Sequence, residues 1–95
     1  MVNQPRSGLR STGFESISRR LLEFVHQAFP IARVKKVGPS DPLFDLGVLD
    51  SMGILDVLMF VQREFGIAVD TSDLVLDNFG TVGSMARFVS EHLPS

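Results

Sequence analysis

The sequence predicts an all-α fold, a small four-helix bundle with a long first loop and a short third helix. Three observations carry this expectation. Apolar residues recur at spacings of three and four in three separate segments, strand-type alternation is weak throughout, and the connections between the later segments are short. At 95 residues the chain makes one domain, which buries only about 60 to 65% of the surface its unfolded form exposes. Nearly every large apolar residue is therefore needed in a single core.

Residues 1–11 mix Asn, Gln, Pro, Arg, Ser and Gly without apolar periodicity and are expected to be a disordered arm ahead of a domain spanning 12–95. Thr12-Gly13-Phe14-Glu15 has the form of a capping box, so a helix should start there. Phe14, Ile17, Leu21, Val25 and Ala28 then share a face, with Phe24 beside them, until Pro30 stops the helix. Ile31 to Asp50 contains Lys35-Lys36, Gly38-Pro39 and Asp41-Pro42 and is predicted as a long loop, anchored by Val37, Leu43, Phe44, Leu46 and Leu49. The second helix begins at Asp50-Ser51, either of which can cap it, and runs to Phe65 with Gly66 as a left-handed stop. Ile67-Ala68-Val69 is a short extended link. Asp70-Thr71-Ser72-Asp73 supplies caps for a single turn over Asp73 to Leu76. Thr81 caps a last helix in which Val82, Met85, Ala86, Val89 and Leu93 share a face before Pro94. Phe24, Leu58, Phe65 and Val89 are the expected core.

Composition removes several function classes. There is no cysteine, which excludes a disulfide framework, a thiolate metal site and a thiol nucleophile. The two histidines, His26 and His92, lack a metal-binding spacing, and neither offers Ser51 an evident base for hydrolytic chemistry. No apolar run reaches the roughly 18 residues of a spanning helix, and the first 13 residues lack a signal-peptide core, so a cytoplasmic protein without membrane insertion is the expectation. Charge is unevenly spread. Residues 1–40 carry seven bases against two acids, a net +5, whereas residues 41–95 carry two bases against nine acids, a net −7. This asymmetry suits a polar partner or an acidic docking face, and also simple solvation. Nucleic-acid binding is not expected, because the strongest helix holds only Arg63 as a base and Lys35-Lys36 has no aromatic interleaving.

One segment stands out: Pro42-Leu43-Phe44-Asp45-Leu46-Gly47-Val48-Leu49-Asp50-Ser51-Met52. An apolar loop ending in Asp-Ser-Met at a helix start resembles the modification site of acyl carrier and peptidyl carrier proteins. Glu64-Phe65-Gly66-Ile67, Thr71-Ser72-Asp73-Leu74 and Phe79-Gly80-Thr81-Val82 resemble later segments of that family in the same order. The resemblance covers about residues 14–93 and implies the acyl-carrier type of bundle.

It further implies that Ser51 is an acceptor and not a catalyst, carrying a covalent 4'-phosphopantetheine attached by a phosphopantetheinyl transferase. Asp50 would engage that transferase or its metal as well as cap. A phosphodiester on the first residue of a helix would sit near unsatisfied amides and the positive end of the dipole. The cargo would ride as a thioester, loaded by an acyl or aminoacyl ligase and taken by a downstream transferase or synthase. Leu49-Asp50-Ser51-Met52-Gly53 resembles D-alanyl carrier proteins more than fatty-acid carriers, which implies a stand-alone, monomeric carrier of an aminoacyl or specialised acyl group. A helical interaction module without a prosthetic group is the alternative. Gly53 lowers helix propensity, which reads either as room for a partner or as a tolerated neutral glycine.

On a helical wheel Ile54, Val57, Leu58, Val61 and Phe65 fall in one sector, assigned to the core. Met52, Asp56, Met59, Phe60 and Arg63 fall on the other side, along a stripe beginning beside Ser51. That stripe is the expected partner-binding face.

Overall fold

The computed structural model describes residues 13–93. The arm and Pro94 lie outside them. Helix α1, Phe14–Ala28, begins at Gly13, which holds extended backbone and accepts the Ile17 amide without any side-chain cap. The Thr12 half of the expected capping box lies outside the described residues. Ile17, Leu21 and Val25 form the buried face of α1, as their spacing of four requires.

Pro30 ends α1 but also begins something new. A five-residue helix α2, Pro30–Val34, starts on the proline, whose missing amide costs nothing at a first helical position. The expectation of loop from Ile31 onward is corrected to that extent. Beyond it the chain is irregular and pinned from inside: Val37, Leu43, Val48 and Leu49 are buried, with Phe44 and Leu46 packed on the core. The Leu43 amide donates to Gly80 at 2.9 Å and the Gly83 amide to Pro39 at 2.9 Å. These bonds tie the loop to the C-terminal third of the chain.

Helix α3, Gly53–Phe65, ends at Gly66 with φ +68°, the left-handed stop that its sequence called for. The link that follows is fastened by Gln62, whose Oε1 accepts the Val69 amide at 3.0 Å. The short third element divides in two. Asp70 and Asp73 cap one another in a 3-10 turn over Thr71–Asp73, and a separate four-residue helix α4, Leu76–Phe79, follows it. The single turn expected over Asp73 to Leu76 is thus two turns, because Asp70 rather than Asp73 takes the first capping position. Helix α5, Val82–His92, starts at a reciprocal Thr81–Ser84 capping box.

Among the described residues there is no strand, and the four-helix bundle expected from the sequence is present with α2 and the split third element added. Helix α5 lies along α1 and against α4. Phe79, Ile17, Leu21, Leu43 and Met85 are the largest fully buried side chains. Of the four expected core residues only Val89 is fully enclosed. Phe24 and Phe65 are half-buried at the core margin, and Leu58 is half-buried outside the core cluster.

The buried face of α3 explains the difference. It runs through Gly53, Val57 and Val61, turned by roughly 60 degrees from the sector that the apolar spacing suggests. Phe60 turns inward with it and stacks on Phe24 at 4.2 Å between ring centres. Phe65 meets Phe60 edge to face at 6.0 Å. Arg20 covers the Phe65 ring and pairs with Glu64, so α1 and α3 are joined by aromatic packing and one ion pair.

Candidate functional site

The start of α3 is held by one carboxylate. Asp50 Oδ1 accepts the Gly53 amide at 2.7 Å and the Met52 amide at 3.1 Å, while the Asp50 carbonyl accepts the Ile54 amide at 3.0 Å. Asp50 is therefore the cap of α3, which leaves Ser51 without that duty. The Ser51 side chain is exposed, and its hydroxyl makes no hydrogen bond among the described residues. A nucleophilic oxygen on a fixed first turn, open to solvent, is well placed for modification by another enzyme.

The same geometry corrects one expectation. Two amides that a phosphodiester could have used at the helix N-terminus are already occupied by Asp50. A phosphate on Ser51 would meet the Asp50 carboxylate there rather than an open cradle, and a cation is the natural complement of that pair of negative groups.

Asp50 and Ser51 are positioned from below. Leu49 is buried, and Gly53 is buried against Phe29: a β-carbon at Gly53 would stand 3.0 Å from the Phe29 ring and 3.4 Å from Leu49 Cδ2. The glycine that reads as a weakness in the helix thus admits a side chain of the same molecule, not a partner.

The expected partner stripe is largely but not wholly outward. Met52 and Met59 are 72% and 56% exposed, and Asp56 and Arg63 are exposed. Phe60 is withdrawn into the stack with Phe24. Leu55 takes its place on the surface, 47% exposed. Its spacing, three after Met52 and four before Met59, is the signal that sequence reasoning passed over. Asp56, Met59, Phe60 and Arg63 nonetheless line one side of a groove of about 400 Å³, whose other side is Phe24 and Ala28 of α1. Across α3, an apolar depression of about 230 Å³ is lined by Phe44, Ile54, Leu74, Val75, Leu76 and Phe79. Its far wall is formed by α4 and the residues leading into it, where the sequence predicts only a single turn over Asp73 to Leu76.

Among the described residues no group of His, Asp or Glu could hold a metal ion, and no helix is long and apolar enough to cross a membrane. His26 Nε2 donates to the Val37 carbonyl and His92 Nδ1 to the Phe88 carbonyl, each at 2.8 Å, so both histidines are engaged in local structure.

Residues 19–89 match the family described as a phosphopantetheine attachment site. The chain is 31% identical to the D-alanyl carrier protein of Streptococcus sanguinis over 79% of its own length and 92% of that protein. It is 30% identical to the D-alanyl carrier protein of Bacillus pumilus, over 74% of this chain and 97% of the relative. For that of Streptococcus pyogenes the values are 32%, 80% and 94%. The family match spans the loop, α3 and most of α5, and together with these relatives it sets aside the alternative of an unmodified interaction module. The chain belongs to the phosphopantetheine-attachment family of carrier proteins, whose members are modified by a phosphopantetheinyl transferase and are not themselves enzymes.

Proposed function

We propose that Ser51 is the attachment point and that the cargo is an aminoacyl group. The observation that carries the first part is the division of labour at the start of α3, where Asp50 satisfies the helix amides and Ser51 Oγ is left unengaged and exposed. Ser51 Oγ would attack the phosphorus next to the pantetheine of coenzyme A, forming the phosphodiester as the pyrophosphate bond breaks and 3',5'-adenosine bisphosphate leaves, with the serine proton going to a base on the transferase. The attached group supplies a terminal thiol, the only thiol in a chain without cysteine, on which a carboxylic acid can be held as a thioester. Asp50 Oδ2 is not used in the cap, and together with the exposed Ser51 it gives the transferase's metal an oxygen ligand.

D-alanine, the group named in the relatives cited above, is the proposed cargo. Loading enzymes and acceptors would dock along Met52, Leu55, Asp56, Met59 and Arg63, with Phe60 shaping the groove behind them. The depression beside Ile54 gives the apolar part of a cargo a resting place. We take the working form to be a cytoplasmic monomer.

Intact mass tests the attachment. Incubation with coenzyme A, magnesium and a broad-specificity phosphopantetheinyl transferase should add one phosphopantetheinyl group to the wild type and none to Ser51→Ala. No gain under conditions that modify another carrier overturns the Ser51 assignment. A loaded species formed with D-alanine and a D-alanyl ligase, and not with fatty acids, is the expected cargo result.

A further inference from the structure

Helix α2 presents a tip that is both aliphatic and basic. Ile31 is 41% and Val34 78% exposed, and Arg33, Lys35 and Lys36 are exposed beside them. From Phe29 to Ser40 the chain contains no acidic residue, and none of these three cations makes a salt bridge among the described residues. The tip is not a loose loop. Ala32 and Val37 are buried beneath it, the Val37 amide donates to Ala32 at 3.0 Å, the Lys36 amide donates to Arg33 at 3.1 Å, and His26 holds the Val37 carbonyl. Lys36 closes the turn at φ +55°, in the left-handed region where glycine would be less strained.

We propose that this tip docks the protein onto an anionic bilayer surface. Ile31 and Val34 enter the headgroup layer while Arg33, Lys35 and Lys36 face lipid phosphates. One feature favours lipid over an acidic protein: the exposed aliphatics Ile31 and Val34 stand among the cations Arg33, Lys35 and Lys36, a pairing of apolar side chains with positive charge that suits a headgroup layer. Phe29, the residue before α2, touches Gly53, two residues beyond Ser51. The start of α2 therefore lies against the first turn of α3. The attraction does not depend on the carrier reading, since it needs no modification of Ser51.

The test uses the full unmodified chain and sedimentation with large unilamellar vesicles. Vesicles of phosphatidylcholine mixed in equal parts with phosphatidylglycerol should pellet the protein at low salt, vesicles of phosphatidylcholine alone should not, and high salt should release it. The double variant Lys35→Gln, Lys36→Gly removes two charges and relieves the strained turn, so it should keep or raise the melting temperature while losing about thirty-fold in vesicle affinity. Val34→Ala should weaken binding by a few-fold with the fold intact. Absence of sedimentation with the mixed vesicles at low salt overturns the proposal, as does undiminished binding by the double variant. Capture by poly-glutamate that depends on Lys35 and Lys36, with vesicles ignored, overturns it in favour of an acidic protein surface.

Discussion

The edge of the Phe29 ring lies where a side chain at position 53 would have to begin, with a β-carbon on Gly53 only 3.0 Å from Phe29 Cε1. The contact joins the end of α1 to the first turn of α3, and it decides the sign of a substitution that helix propensity alone would misjudge. Gly53→Ala gains about 0.5 to 1 kcal/mol in propensity but overpacks the contact at a cost of about 1 to 3 kcal/mol. The net expectation is a loss of about 1 kcal/mol, or about 4 to 8 °C in melting temperature for a domain of this size. Adding Phe29→Leu should recover part of it. A more stable Gly53→Ala would show that the ring yields freely.

Because Asp50 and not Ser51 caps α3, the two neighbours should differ sharply. Asp50→Ala is expected to cost about 0.5 to 2 kcal/mol, whereas Ser51→Ala should stay within about 0.5 kcal/mol, as an exposed residue without partners does. Urea denaturation of both variants checks this, and equal losses would move the cap to the serine.

Phe79 is enclosed between α4 and α5, 1% exposed, with its ring 5.3 Å from that of Phe88. Phe79→Ala should cost about 3 to 5 kcal/mol, much of the stability of so small a domain. Phe65 is only half-buried, and Phe65→Ala should cost clearly less. Calorimetry that ranks them the other way would contradict the packing of the C-terminal helices.

Charge introduced along α3 separates its outward stripe from its inward one. Met52→Glu and Met59→Glu, at side chains largely in water, should leave the melting temperature within a few degrees and still permit attachment at Ser51, yet weaken loading by the cognate ligase at least tenfold if the stripe is the docking face. Phe60→Glu places a carboxylate in the Phe24 stack and should instead unfold the domain or nearly so. Unchanged loading by both methionine variants would remove the stripe as the recognition surface.

Local chemistry was enough to read much of this molecule from its residues. The four-residue spacing of Ile17, Leu21 and Val25, the Gly66 stop, the Thr81 cap and the apolar anchors of the long loop are each set by interactions within a few positions, or by a simple need for burial, and all are present as expected. The Asp50-Ser51-Met52 motif pointed to the proposed attachment site for the same reason, since a cap and an exposed first-turn hydroxyl are local features. What only the tertiary structure decided was rotation and choice. Whether α3 turns Phe60 or Leu58 inward depends on Phe24 and Phe29 arriving from α1, and whether Asp50 or Ser51 caps depends on how the loop delivers Leu49 into the core. Spacing along one helix cannot register a neighbour's side chain, and a glycine on a wheel gives no sign of the ring that will fill the space beside it.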